Sequence, residues 1–501
     1  MNREVKLTGS GLTVNDVKRI SCDMWTVSVP DEVMSRLIEG RKLVFELSAR
    51  GVPIYGCNRG VGWNKDKKVT KESITRFNDN MLHSHSVAVG NYATVEEVRA
   101  TIAIRVNNLL RGCTGLSPEI VTLMVKMLNR NITPLLPTKG SVGEADIVSL
   151  SHLGLALTGK GKVLYKDRIV TSDEAFRSEG LEPVSLAEKD GLAVLSSNAL
   201  SAGMACTALA TTDTLMNTAD IIACMSLEGL NGNVSPLAEG VHRERPYKRQ
   251  METAGAMRKF LEGSYLYSPC EGRPLQDPLS FRCVPQVHGA AKCAMDYLRD
   301  NLEVHLNASD DNPCLLLRER AISSCGNFDP LFWVLGVQNL SVALSHVSKL
   351  SCLRTLKLAS PNFTGLSRHL TPNDSTIAFS TIQKVFANLD AEVRLLINPV
   401  SMDTFSLAGD MEDISTNAPL VVQKHLQIVD NLFYILAIEI IHAAQAMDLR
   451  KAHYGVGTEK ARSLYRSVVA FYDNDDRVLT DDIERTHEFL RSGGLLGLKN
   501  S

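Results

Sequence analysis

Two stretches of this sequence, Leu331 to Leu350 and Leu426 to Leu449, are apolar on most faces of a helix over several turns. A helix apolar all round is stable only when other elements cover it, so these segments demand a bundle. Amphipathic partners are present. Val287, Ala291, Ala294, Leu298 and Leu302 recur at three- and four-residue steps, with Lys292, Asp296, Arg299 and Glu303 off the stripe. Ile382, Val385, Phe386, Leu389, Val393 and Leu396 form a second stripe, and Pro399 follows where it stops. Val163-Leu164-Tyr165 and Ile169-Val170 suggest a small hairpin, but no series of short alternating strands appears. The expectation is a mainly α protein with a long central helical bundle and a loop-rich N-terminal region. Residues 1–200 would carry the loops, 201–450 the bundle, and 451–501 a peripheral segment, polar from Asp473. Glu239 to Gln250, rich in Arg and His, reads as an exposed loop.

Composition excludes several partners. The 501 residues carry 54 Lys+Arg against 56 Asp+Glu, a net charge of −2. There is no excess positive charge to neutralise phosphates, so nucleic acid is not an expected partner. At 44% hydrophobic and 22% charged residues the chain can bury a large core. No window reaches the roughly 18 uninterrupted apolar residues of a spanning helix. Leu432 to Ile441 is broken by Glu439 and flanked by Asp430. The start, Met-Asn-Arg-Glu-Val-Lys, lacks the apolar core of a signal peptide. A cytoplasmic protein without a membrane partner is expected. Eleven cysteines lie between Cys22 and Cys352 with no Cys-x-x-Cys pair. Free thiols are expected rather than a disulfide framework or a zinc site.

Several short strings could carry chemistry. In Tyr55-Gly-Cys-Asn-Arg-Gly-Val-Gly62 the glycines permit tight turns that could hold a tyrosine over a cavity. The same loop could be a surface loop with a packing tyrosine. Asn80-Met-Leu-His-Ser-His85 spaces two histidines as metal ligands on a strand would be, but no third ligand accompanies them. Pro137-Thr-Lys-Gly-Ser-Val-Gly-Glu-Ala-Asp146 turns on glycine into an apolar helix, whose positive end suits an anion or an electrophile. Alternatively Asp146 simply caps that helix. In Gln276-Asp-Pro-Leu-Ser-Phe-Arg-Cys-Val-Pro-Gln286 the fork of Arg282 could clamp a carboxylate, or pair with Asp277. Met411-Glu-Asp413 and Asn307-Ala-Ser-Asp-Asp-Asn-Pro313 place polar groups beside apolar helices, where caps and turns are common.

Taken together and in order, from about Val52 to about Met447, these strings resemble the histidine and aromatic amino-acid ammonia-lyase family. Tyr55-Gly-Cys-Asn-Arg-Gly60 is similar to the family's Tyr-Gly-Val-Asn-Thr-Gly loop. Asn80 to His85 is similar to its Asn-Leu-x-x-Ser-His segment, and residues 276–286 to its Gln-Asp-Pro-Tyr-Ser-x-Arg-Cys-x-Pro-Gln string. Asp311-Asn312-Pro313, Gly326-Asn327-Phe328 and Glu412-Asp413 complete the match. The resemblance implies a helical homotetramer with sites shared among subunits. It implies Tyr55 as the acid/base group, and Arg282 with Asn312 and Gln276 as substrate-binding residues. It also implies His85 and Glu412 as readers of an imidazole, as in the histidine branch.

The departures cluster. Family members cyclise Ala-Ser-Gly into a methylidene-imidazolone electrophile, whereas this chain reads Gly143-Glu144-Ala145-Asp146. Ser196 stands where the family asparagine bonds that electrophile, Leu279 replaces a tyrosine, and Asp329 replaces a histidine. No prosthetic group is therefore expected. Glu144 and Asp329 are new carboxylates that could protonate a leaving amine. The resemblance implies a small amino-acid substrate, and elimination of ammonia from histidine to give urocanate. Two alternatives stay open. One is a silent amino-acid-binding paralogue. The other is a lyase or aminomutase acting on a different amino acid, whose own group supplies the activation.

Overall fold

The computed structural model of the chain describes residues 3–270, 273–473 and 475–497. The Val95–Leu109 helix shows how its helices are set. It opens on a capping box: the Thr94 hydroxyl accepts from the Glu97 N–H, and the Glu97 carboxylate accepts from the Thr94 N–H. From Glu97 to Leu109 every residue is buried. The polar ones are hydrogen-bonded, as burial requires. Arg99 donates to the carbonyls of Ile20 and Leu128, and Arg105 pairs with Asp310 at 2.9 Å.

The chain forms two compact units, each assembled from three separate stretches. The first comprises Met1–Ala210, Leu298–Val337 and Pro399–Gln423; the second comprises Thr211–Tyr297, Gln338–Asn398 and Lys424–Ser501. These boundaries do not follow the successive regions 1–200, 201–450 and 451–501, because segments remote in sequence supply each unit's core.

In the first unit the expected hairpin forms. Lys162–Tyr165 pairs antiparallel with Arg168–Thr171 across Lys166-Asp167, whose φ values of 50° and 60° suit a two-residue turn. Thr133–Pro134 adds a third strand. Val89–Tyr92 pairs with Pro137–Lys139 and so delivers the chain into the 140–146 turn. The second unit holds a buried ionic cluster. Glu439 accepts from Arg354 Nε at 2.6 Å and Nη2 at 2.8 Å, and from Ser226 at 2.7 Å.

Three helical stretches, Asp190–Leu230 (the Asp190–Leu195 and Ala199–Leu230 helices in succession), Leu331–Leu358 and Ala418–Arg450, are long and apolar enough to cross a membrane by length and composition, although no unbroken apolar run marks them. Their apolar windows are 94%, 56% and 83% buried within the protein. Ala418–Arg450 is thus the covered helix its sequence demands. Leu331–Leu358 is less so: Phe332 is 76% exposed, and Leu331, Leu335 and Val342 are exposed beside it. The stripe from Ile382 is also narrower than it reads. In the Gln383–Leu396 helix Phe386 and Val393 are buried while Val385 is exposed. Glu239 to Gln250 is not a loop. It contains the Glu239–Arg243 helix, and His242 is buried between the Pro236 carbonyl and the Gln250 amide. The tail forms the Leu479–Arg491 helix with Leu490 fully buried. Among the described residues no disulfide joins the cysteines.

Candidate active site

A cavity of about 560 Å³ opens in the first unit. Four segments wall it: the Tyr55–Gly62 loop, the Ile74–His85 helix from Phe77 onward, the 140–148 turn and the 407–412 reversal. Tyr55, His85, Glu144 and Glu412 all line it, beside the apolar Phe77 and Met81. Among the described residues its lining includes no Lys or Arg.

The Tyr55 hydroxyl accepts from the Gly62 N–H at 2.7 Å. Burial pushes its phenol above the ordinary value; the Gly62 bond opposes this and the Glu412 charge adds to it. His85 ends its helix with Nδ1 2.8 Å from the Met81 carbonyl. A carbonyl only accepts, so Nδ1 carries the hydrogen and Nε2 of the neutral ring is an acceptor. His83 and His85 lie on a helix rather than a strand, and residues two apart on a helix do not share a face. His83 Nδ1 bonds the Asp79 carbonyl instead. Among the described residues no group of three or more His, Cys, Asp or Glu side chains is arranged to hold a metal ion.

Glu412 is presented by a tight reversal. The N–H groups of Leu407 and Glu412 each donate to the other's carbonyl, at 2.8 and 3.2 Å. Ala408, Gly409 and Asp410 between them all take positive φ. Glu144 is half-buried. Burial, then the charges of Glu412 and Asp329, push its carboxyl up to about 7. Its Oε1 is buried with no hydrogen-bond partner.

The turn that carries Glu144 is fixed by its backbone. Gly143 has φ +96°, and a Cβ there would lie 2.3 Å from Thr416 Oγ1, so glycine is required. The Val142 carbonyl accepts from the N–H groups of Thr416 at 3.1 Å and Asn417 at 2.6 Å. Asn198 Nδ2 donates to the Gly143 carbonyl at 3.0 Å. Asp146 does not cap its own helix: its side chain makes no capping bond to Ile147–Leu157. It accepts instead from the Ser201 N–H and hydroxyl at 2.8 and 2.9 Å, and from the Ser141 hydroxyl at 2.9 Å. The sequence reading did not single out Asn198 or Ser201. Their only signal is their place at the start of the Ala199–Leu230 helix.

The other expected residues are not among those lining this cavity. Ser196 is buried at the end of the Asp190–Leu195 helix, its N–H donating to the Leu192 carbonyl. Asn312 Oδ1 accepts from the Cys325 N–H at 3.0 Å, which ties it to its own loop. Asp329 is exposed and accepts from the Leu331 N–H at 2.8 Å, at the start of the Leu331–Leu358 helix. Arg282 and Gln276 belong to the second unit. Arg282 Nε donates to the Asp277 main-chain carbonyl at 2.7 Å, so its bond to Asp277 is not the carboxylate pair considered from sequence. Gln276 is exposed.

A mainly helical fold whose acid-lined cavity also presents a tyrosine matches the amino-acid lyases. The model of the aromatic amino acid lyase family covers residues 12–468, and the chain belongs to that family. It is 32% identical to a histidine ammonia-lyase of Treponema denticola over 97% of each chain. Among solved structures, it is similar to an ergothioneine-degrading enzyme of Treponema denticola, in complex with desmethyl-ergothioneine sulfonic acid. That match has a TM-score of 0.96 at 45% identity and covers 98% of this chain and 99% of that one. A tyrosine aminomutase of Streptomyces globisporus matches with a TM-score of 0.94 at 27% identity, over 99% and 98% of the two chains.

The methylidene-imidazolone group implied by the family resemblance does not fit the residues at its place. Glu144, Ala145 and Asp146 offer neither a hydroxyl to dehydrate nor a glycine nitrogen to close the ring. The carboxylate of Asp146 is taken up by Ser201 and Ser141.

Proposed function

We propose that this chain is a C–N lyase that eliminates an already quaternised amine from a histidine-derived betaine. The substrate is ergothioneine, the trimethylammonium betaine of 2-thiohistidine, and the products are trimethylamine and thiourocanate. The observation that carries the reading is Glu144, a carboxylate that lines the same cavity as Glu412 and feels its charge, with no lysine or arginine among the described lining residues and its Oε1 unpartnered. Two such carboxylates repel, and a fixed cation between them removes that penalty. A trimethylammonium group cannot donate a hydrogen bond. It is held by charge and by apolar or aromatic faces, which Phe77 and Tyr55 supply.

The leaving group explains why no electrophile is needed. A primary ammonium loses its charge whenever it is deprotonated and is then a poor leaving group, whereas a quaternary nitrogen has no proton to lose, stays cationic, and departs as neutral trimethylamine. Tyr55 takes the β-proton, the C–H electron pair forms the double bond, and the C–N pair departs with trimethylamine. Glu412 accepts from the ring N–H, and Arg282, Asn312 and Gln276, which do not line this chain's cavity, are supplied to the substrate carboxylate by neighbouring subunits of the homotetramer. The 45% identity to an ergothioneine-degrading enzyme supports this substrate over histidine. The reading includes a cytoplasmic homotetramer without a covalent prosthetic group, whose intact mass equals the sequence mass.

Histidine to urocanate is the second reading. It is favoured by the 32% identity to a histidine ammonia-lyase and by His85 with Glu412 in the cavity. Purified protein is incubated with each amino acid, recording product absorbance and assaying trimethylamine and ammonia. Trimethylamine from ergothioneine alone supports the proposal. Urocanate and ammonia from histidine alone overturn it. Calorimetric binding without product from either identifies a silent binder.

A further inference from the structure

Glu144 stands near the tip of a turn tied down on both sides. Upstream, the carbonyls of Val142 and Gly143 are held by Thr416, Asn417 and Asn198. Downstream, the Asp146 N–H donates to the Ser197 carbonyl at 2.6 Å, and its carboxylate takes the three bonds from Ser201 and Ser141. Between the ties Ala145 has φ +65°, a region that residues with a Cβ avoid. Such a conformation persists only where its surroundings over-determine it.

Asp146 is fully buried, and among the described residues no cation pairs with it. A buried carboxylate without a counter-charge is costly, so its retention calls for a reason. Capping the Ala199–Leu230 helix is not a sufficient one. Asp310 already accepts from the Asn198 N–H at 3.0 Å and the Ser197 hydroxyl at 2.6 Å at that helix start, with Arg105 as its counter-charge. What Asp146 adds is the link from that helix to the turn two residues beyond Glu144.

We propose that Asp146 is the positioning residue of this cavity: its carboxylate clamps the 141–146 turn to the start of the Ala199–Leu230 helix, and so holds the Glu144 carboxylate in the cavity that Glu412 also lines. What Glu144 binds rests on the function proposed above; the clamp does not.

Two measurements test it. Amide hydrogen exchange of the 140–148 segment is followed without ligand. Ergothioneine binding is measured by calorimetry in a Tyr55→Phe background, where turnover is stopped. In Asp146→Ala, exchange across the turn rises about tenfold, the equivalent of one charge-assisted hydrogen bond. Binding weakens by about tenfold, as it does in Glu144→Gln, and the double variant shows no further loss. Asp146→Asn, which keeps one acceptor oxygen and the volume, recovers part of both effects. Additive losses in the double variant would mean that Asp146 serves the fold rather than Glu144, and overturn the proposal. Unchanged exchange would remove the clamp. Should Asp146→Ala not fold, Asp146→Asn and Ser201→Ala carry the same comparison. If the Tyr55→Phe parent binds no ergothioneine, the substrate reading fails, and the exchange result alone decides the clamp.

Discussion

Tyr55 is placed under opposing demands. A base must be ionised, yet burial and the Glu412 charge push its phenol up, and the Gly62 N–H is the one contact that favours phenolate. A cationic substrate changes that balance in favour of ionisation. Tyr55→Phe is therefore expected to lower kcat by about two to four decades while calorimetric affinity stays nearly unchanged. Glu144 gives the second expectation. Its folded value of about 7 lies above its ordinary value, so around neutrality part of the population is protonated. A bound cation releases that proton, and affinity should rise as pH rises through about 7. Calorimetry in buffers of different ionisation enthalpy reads the proton count, and Glu144→Gln should abolish it. The sign for stability is opposite. A raised carboxyl contributes stability below its unfolded value that is lost as pH climbs to the folded one, so Glu144→Gln should flatten the fall of Tm across that window.

Among elements, the Ala418–Arg450 helix was legible as covered because its apolar side chains continue around its circumference. Glu439 interrupts that pattern and reads in sequence only as a break. Its partner Arg354 lies on another helix, so pattern alone could not pair them. Both are fully buried. Breaking such a pair strands a charge, so Glu439→Gln should cost about 3–5 kcal/mol in urea unfolding. The Arg354 guanidinium also donates to the Ser280 carbonyl at 3.3 Å, two residues before Arg282. The 140–146 turn was legible in part. Glycine at 140 and 143 marked it, but of the alternatives left open the cap by Asp146 does not form, since a side chain before a helix can serve a remote helix as readily as its own.

For the whole molecule, the exposed side chains of Leu331, Phe332, Leu335 and Val342 bear on assembly. Large apolar side chains left exposed along one helix are a candidate for cover by another copy of the chain. They support the proposed homotetramer, in which a helix apolar on most faces would find the cover that its own chain does not provide. Phe332→Glu should then leave the folded chain intact by circular dichroism while shifting sedimentation to smaller species. A monomer in the unsubstituted protein at micromolar concentration would remove the tetramer.

The sequence by itself determined the helical class and the family, and it named Tyr55, His85, Glu144 and Glu412, which line one cavity. Periodicity and ordered strings are properties of neighbours along the chain, so one sequence displays them. Tertiary structure decided that Glu144 feels the charge of Glu412, that Asp146 reaches Ser201, and that Asn312 and Asp329 spend their oxygens on their own loops. Those outcomes depend on distances between segments far apart in sequence and on which buried donors remain to be satisfied. A linear pattern carries neither.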